Sequence, residues 1–204
     1  MNESVESHEA LVAPVRRRTG GRSARVREAV LQAALDAMAD HGLDGVTFSD
    51  VGRRAGVHGT SVQRRWGSRE NLLFEAIRSF ADQAIKIPDT GSLRGDLVAF
   101  SRSLSDYFAT PTGGQILQML VSFVDNDPAF SKNRADFVRE RHQATRAIIQ
   151  RAAERGELRE GVTEEAALAL LLGPIYVQML IVRRPVDDDF IERVTDAMMH
   201  GISA

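Results

Sequence analysis

The residues of this chain with the most chemistry to offer lie between Thr47 and Arg69. Thr47 precedes Phe48-Ser49-Asp50, so its hydroxyl is placed to cap the exposed amides of a helix, with Asp50 three residues on completing a capping-box-like pair. Phe48, Val51 and Ala55 give that helix an apolar face, and Gly56 ends it. His58, Gly59, Thr60 and Ser61 follow, then Gln63, Arg64 and Arg65, while Val57, Val62 and Trp66 form an apolar brace. The unbraced side carries hydroxyls, an amide and guanidiniums, the groups that meet phosphate oxygens and base edges. Small residues at 59–61 let a helix N-terminus, with its amides and positive dipole end, approach a phosphate closely. Gln63 suits bidentate pairing with adenine, and Arg64 or Arg65 with guanine.

The elements that must position these groups are two short helices, residues 47–55 and 58–65, joined by a tight glycine-containing turn. That is a helix-turn-helix, whose second helix enters the major groove of DNA. Val26, Ala29, Val30, Ala33, Ala37 and Met38 predict a helix before it, ending at Gly42. Ser68 reads as the N-cap of a long helix running to Pro88, through Leu72, Leu73, Ala76, Ile77, Phe80 and Ala84. Helical spacing continues over 93–108, 115–124 and 130–152, then from Thr163 to Val182, and finally behind Asp187-Asp188-Asp189 through Ile202. No alternating strand stands out, so the fold class is all-α with about nine helices.

The stretch Val46-Thr47-Phe48-Ser49-Asp50-Val51-Gly52-Arg53-Arg54-Ala55-Gly56-Val57, with Arg64-Arg65-Trp66-Gly67-Ser68-Arg69-Glu70-Asn71-Leu72 after it, resembles the DNA-binding signature of tetracycline-repressor-like (TetR/AcrR) regulators. The likeness runs without gaps from about Arg22 to Phe80, and Leu171-Leu172-Gly173-Pro174 is similar, less specifically, to C-terminal regions of the family. The resemblance implies that Thr47 caps its helix at a phosphate. It also puts Ser61 where the family has a groove-facing Thr, and Arg69 where a Lys meets the DNA backbone. Three positions depart from the family pattern: Thr60 replaces Gly or Ala, Gln63 a phosphate-touching Tyr, and His58 a Ser. They lie on the reading face, so they alter the operator and not the fold.

Composition narrows the alternatives. At 204 residues the chain is one large domain or two small ones, and the absence of cysteine excludes disulfides, thiolate metal sites and cysteine nucleophiles. Residues 16–78 hold twelve arginines against seven acids, whereas the remainder from Ser79 holds fourteen bases against eighteen acids. A basic N-terminal third on an acidic remainder suggests a polyanion partner at one end. No histidine pair has metal-ligand spacing, no serine sits in a nucleophile elbow, and Thr112-Gly113-Gly114 lacks the rest of a nucleotide loop, so neither cofactor nor metal is expected. The start of the chain has no apolar stretch behind its positive charges, which argues against a secretory signal and for a cytoplasmic protein. Residues 1–21 read as a flexible tail; Arg16, Arg17, Arg18 and Arg22 suit a minor groove as well as a solvated arm. Ala166 to Val182, seventeen residues without a charge, makes a helix of ~25 Å, short of the ~30 Å hydrocarbon core, so no membrane contact is expected.

Residues 22–80 are then expected to bind double-stranded operator DNA, and 81–204 to hold an effector and dimerise. The family likeness implies a small-molecule cavity lined from Phe100, Leu104, Tyr107, Phe108, Gln115, Leu120, Phe123, His142 and Gln178, suited to a small lipophilic or aromatic effector. For His142 the simpler expectation is a core or boundary position. The last two helices, through Leu168, Leu172, Ile175, Met179, Phe190, Val194 and Met198, are expected to pair with their twins in a homodimer. The alternative is a helical small-molecule-binding protein or enzyme with a vestigial DNA-binding motif, and the catalytic inventory offers it nothing.

Overall fold

A side-chain oxygen takes up an exposed amide at the start of six helices in the computed structural model, which describes residues 20–121 and 128–203. Thr47, Ser68, Ser92, Thr110, Thr163 and Asp187 each accept from the backbone N–H three residues on, at 2.8–3.2 Å. Such caps contribute about 1 kcal/mol each and fix where the elements begin. Among the described residues they help define nine α-helices: α1 (Gly20–His41), α2 (Phe48–Arg54), α3 (Gly59–Trp66), α4 (Arg69–Ala84), α5 (Leu93–Ala109), α6 (Pro111–Val121), α7 (Pro128–Glu154), α8 (Glu164–Tyr176) and α9 (Asp188–Ile202). The chain is all-α, and the only β feature among those residues is an isolated bridge between Leu158 and Ser203.

Helices α1–α3 pack as an N-terminal unit whose α1 lies along α4. Helices α5–α9 form the rest, with α7 packed on α4, α5 and α8, and α9 on α5 and α8. One contiguous apolar core runs from Val30 to Ile202. Helix α4 passes unbroken through the 80/81 boundary expected between two domains, so it belongs to both halves.

Several elements depart from the periodicity. Arg22 is exposed in the first turn of α1 and not in an arm, because the helix already begins at Gly20; Arg16–Arg18 lie outside the described residues. Asp50 does not turn back on Thr47, because Arg53 and Arg54 engage its carboxylate. Helix α6 starts at Pro111 and not Gln115: Thr110 caps it, and a proline fits the first turn. Gly113 is needed there, since a Cβ would lie 1.9 Å from the Tyr107 carbonyl oxygen.

The last helix of the apolar run ends unusually. Beyond Tyr176, residues Val177–Val182 wind as a π-helical turn, and Arg183 closes it in the left-handed region at φ 56. The whole run Glu164–Val182 is long and apolar enough to cross a membrane by length and composition. It is buried on one side only: Leu168, Leu171, Leu172 and Ile175 face the core, whereas Leu170, Val177, Ile181 and Val182 are exposed.

Candidate functional site

Helices α2 and α3 cross at two glycines. A Cβ on Gly52 would lie 2.7 Å from the Gly59 nitrogen, and one on Gly59 would lie 2.8 Å from the Phe48 carbonyl oxygen. Gly56, at φ 67, makes the turn between them, and the Val57 amide donates to the Gly52 carbonyl at 2.9 Å. His58 is the N-cap of α3 through its backbone alone, its carbonyl accepting from Ser61 and Val62. Behind α3, Val62 and Trp66 are buried as the brace requires. The Trp66 indole Nε1 donates to Glu75 Oε2 at 2.8 Å, and Arg27 Nε donates to Glu75 Oε1 at 2.7 Å. One carboxylate on α4 thus ties down both α3 and α1.

The outer face of α3 presents Thr60, Ser61, Gln63, Arg64 and Arg65 to solvent, with His58 and Thr47 exposed beside it. These six polar side chains of residues 58–65 therefore share one open surface with the capped start of α2. Gly59 is the exception among the expected contacts. It is half-buried, and the crossing with α2 accounts for its lack of a side chain. Arg65 lies over the Trp66 ring, 5.1 Å from its centroid, in a cation–π contact. Arg69, half-exposed at the head of α4, is held by Glu70 at 3.0 Å and by the Asp44 carbonyl at 3.2 Å.

Sequence reasoning missed the ionic frame behind this surface. Arg54 donates to Asp50 and Asp40, both at 2.7 Å, joining α2 to the end of α1. Hydrogen bonds from Arg53 and then Arg54 hold the Asp50 carboxyl below the usual carboxylate range. The Arg53-Arg54 pair was the available signal, because arginines three and four residues after an acid share its helix face.

A second site lies in the C-terminal half. A cavity of about 60 Å³ is walled by Phe100, Leu104, Tyr107 and Phe108 from α5, Ile116 and Leu120 from α6, and Leu172 and Tyr176 from α8. Helix α7 closes it with Phe137, Val138, Arg141, His142 and Thr145, and Ile85 completes the lining. Of the nine residues expected here, six are brought together. Gln115 is not, because its amide donates to the Ala39 carbonyl of α1 at 2.9 Å. Gln178 is not either: the π-helical turn directs its amide to the Pro185 carbonyl at 3.3 Å. Phe123 lies outside the described residues. His142 lines the cavity from an exposed position, so it is not a core histidine. Apart from His142, the α7 contribution was missed although Phe137, Arg141 and Thr145 recur at intervals of four; two of the three are polar, which hid the stripe.

Leu172 was expected between subunits and instead faces this cavity. Leu168, Ile175 and Met198 are likewise buried within the chain, and Met179, Phe190 and Val194 are half-buried. The outward face of α8 is carried by Ala166, Ala169, Leu170, Val177 and Ile181. These follow helical spacing, but on the side opposite to the one expected.

The two sites are joined by polar and aromatic contacts. Asn71 Nδ2 donates to the Trp66 carbonyl at 3.1 Å, and its Oδ1 accepts from Asn133 of α7 at 3.2 Å. Phe74 of α4 is fully buried, with ring centroids 5.3 Å from Phe130 and 6.4 Å from Phe137, a cavity wall residue. Through Asn71 and Phe74, α7 touches both the cavity and the end of the reading helix.

Residues 30–76 match the family described as bacterial regulatory proteins, tetR family, and residues 87–198 match the tetracyclin repressor-like C-terminal domain. The HTH-type transcriptional regulator AqdR of Rhodococcus erythropolis is 37% identical over 162 residues, covering 78% of this chain and 77% of its own length. The crystal structure of the TetR family transcription regulator SCO0332 superposes with a TM-score of 0.71 at 27% identity, over 87% of this chain and 98% of that one. The regulator FadR from Bacillus subtilis, crystallised with stearoyl-CoA, shares the fold at a TM-score of 0.67 and 14% identity, over 85% of this chain and 98% of its own.

Proposed function

Because the chain belongs to the TetR family of HTH-type transcription regulators, we propose that it acts in the cytoplasm as a homodimeric repressor. It binds a near-palindromic operator and is released by a small lipophilic or aromatic effector. The observation that carries this reading is the outer face of α3: side chains that bond phosphates and bases lie on one exposed surface, and buried Val62 and Trp66 fix the helix from behind. Gln63, Arg64 and Arg65 are its base-reading candidates, with His58, Thr60 and Ser61 at the helix tip. Thr47 uses its hydroxyl oxygen as a cap acceptor and retains a proton to donate to a phosphate. Arg22, exposed at the start of α1, and Arg69 are charge contacts to the backbone.

The exposed apolar stripe of α8 supports a second copy of the chain as its occupant, with Leu170, Val177 and Ile181 at the centre and α9 alongside. A two-fold pairing sets two α3 helices against two half-sites roughly 34–36 Å apart. The effector reading rests on the cavity. At about 60 Å³ it is far too small for a long acyl chain such as the one FadR carries, so a compact ligand fits best, and even that must push the walls apart. Outward movement of α7 would act on the end of α3 through Asn71 and Asn133, and any such coupling is reciprocal.

Selecting bound fragments from the source genome with the purified protein tests this reading. A shared near-palindrome upstream of a small set of genes is the expected result. Fragments without a common sequence would contradict it.

A further inference from the structure

One hydrogen-bond donor in the cavity wall has nothing to bond. Tyr107 is 3% exposed, and its hydroxyl is inaccessible to solvent and without a partner. Its ring is fixed between two others, 5.1 Å from Phe80 and 5.0 Å from Phe108, so the side chain cannot swing out to water without breaking both contacts. Two other polar side chains of the wall are committed. Thr145 donates to the Arg141 carbonyl at 2.9 Å, and Arg141 Nη1 donates to Asp82 at 2.8 Å. The Tyr107 ring also edges an outer groove between α4 and α5, and its hydroxyl is closed to solvent on that side as well, so a guest reaches it only when the cavity walls part.

Burial raises the Tyr107 phenol well above the usual tyrosine range, so the group stays an O–H donor throughout the physiological pH range. The Arg141 charge acts on Tyr107 and Tyr176 in the opposite direction, as a positive field across the same walls. Five aromatic side chains line the remaining space: Phe100, Tyr107, Phe108, Phe137 and Tyr176. Ring edges and faces of this density favour an aromatic guest over an aliphatic one of equal size. A buried unpaired hydroxyl destabilises a fold, and only a guest that accepts from it removes that cost.

We propose that the effector is a compact one-ring aromatic compound bearing an oxygen acceptor, a ketone or a carboxylate, that takes the Tyr107 hydroxyl proton in a hydrogen bond beside the Arg141 guanidinium. This rests on the reading of the cavity as the effector site. The acceptor is the specificity element: a hydrocarbon of the same shape leaves Tyr107 unpaired and gains only contact with the rings.

The test uses the full chain and three compounds of similar size: acetophenone, benzoate and ethylbenzene. Binding is measured by titration calorimetry on the wild type and on Tyr107→Phe. At least one oxygenated compound is expected to bind the wild type about fivefold or more tightly than ethylbenzene. In Tyr107→Phe that preference falls to within about twofold, while ethylbenzene binding is retained. The ligand-free variant is also expected to melt a few degrees higher, because it lacks the unpaired hydroxyl. The proposal is overturned if ethylbenzene binds as well as both others, if none of the three binds, or if the preference survives in Tyr107→Phe. A lower melting temperature for the variant also overturns it, since the hydroxyl would then have a structural partner. These readouts involve no DNA. Binding without operator release would count against the effector role while leaving the ligand class standing.

Discussion

The Trp66 indole donates to the Glu75 carboxylate at 2.8 Å, across the junction of the reading helix and α4. The same carboxylate accepts from Arg27 of α1 at 2.7 Å, so one side chain sets the distance between three helices. Glu75→Gln retains the shape and removes the charge. The expected cost is about 1 kcal/mol of stability, below the ~1.5–3 kcal/mol of a hydrogen bond to a charged group, because the site is partly exposed to water. Thermal melts report that loss, and operator affinity falls with it because α3 is less firmly posed. Trp66→Phe leaves Arg27 paired with Glu75 but also removes buried ring volume behind α3, and it acts in the same direction by at least as much.

Gly59→Ala tests the crossing of α2 and α3. The added methyl meets the Phe48 carbonyl oxygen and the Ser49 Cα at 2.8 and 3.0 Å, backbone atoms that cannot swing aside. The expected penalty is about 1–3 kcal/mol, confined to the N-terminal helices. Hydrogen exchange is the suitable readout: amides of α1–α3 lose protection while those of α5 and α7 retain it.

Ile181, 77% exposed at the end of the apolar run, tests self-association. Ile181→Glu buries no charge within the chain, so the fold of each copy is preserved. Sedimentation is expected to give two chains per particle for the wild type and one for the variant. The wild-type melting temperature is also expected to rise with protein concentration, as it must when folding and association are linked.

Acid is expected to weaken the fold through paired carboxylates. Asp50 is held below its ordinary pKa by Arg53 and Arg54, and Asp136 by Lys132 and Arg139. A carboxyl lowered in the folded state adds stability that is fully present above its unfolded value, about pH 4, and lost as pH falls through the folded one. Asp136→Asn is therefore less stable than wild type at pH 7, and the difference closes below the unfolded value. Melting both proteins at pH 7 and pH 3 checks the sign.

The reading surface was legible because its demands are local. A capping threonine, a glycine turn and two apolar residues four apart fix both helices, and the structure keeps all of them in their expected roles. Gly59 was assigned to the groove because sequence shows that a side chain is missing, not which neighbour excludes it. The cavity was half legible: the α5 stripe of Phe100, Leu104, Tyr107 and Phe108 follows from spacing. Gln115 and Gln178 were misplaced because each bonds a carbonyl distant in the fold or displaced by the π-helical turn. The α8 faces were exchanged because a helix apolar all round carries no periodic signal, and only packing against α7 and α9 decides which leucines turn inward.

Fluorescence anisotropy on DNA from upstream of the chain's own gene, measured across a salt series, tests most directly whether paired α3 helices enter the major groove. The account predicts two chains per site, affinity falling steeply with salt, and a further loss of about 1–3 kcal/mol in Gln63→Ala or Arg64→Ala. A chain that binds with no salt dependence, or whose affinity survives both substitutions together, would contradict it.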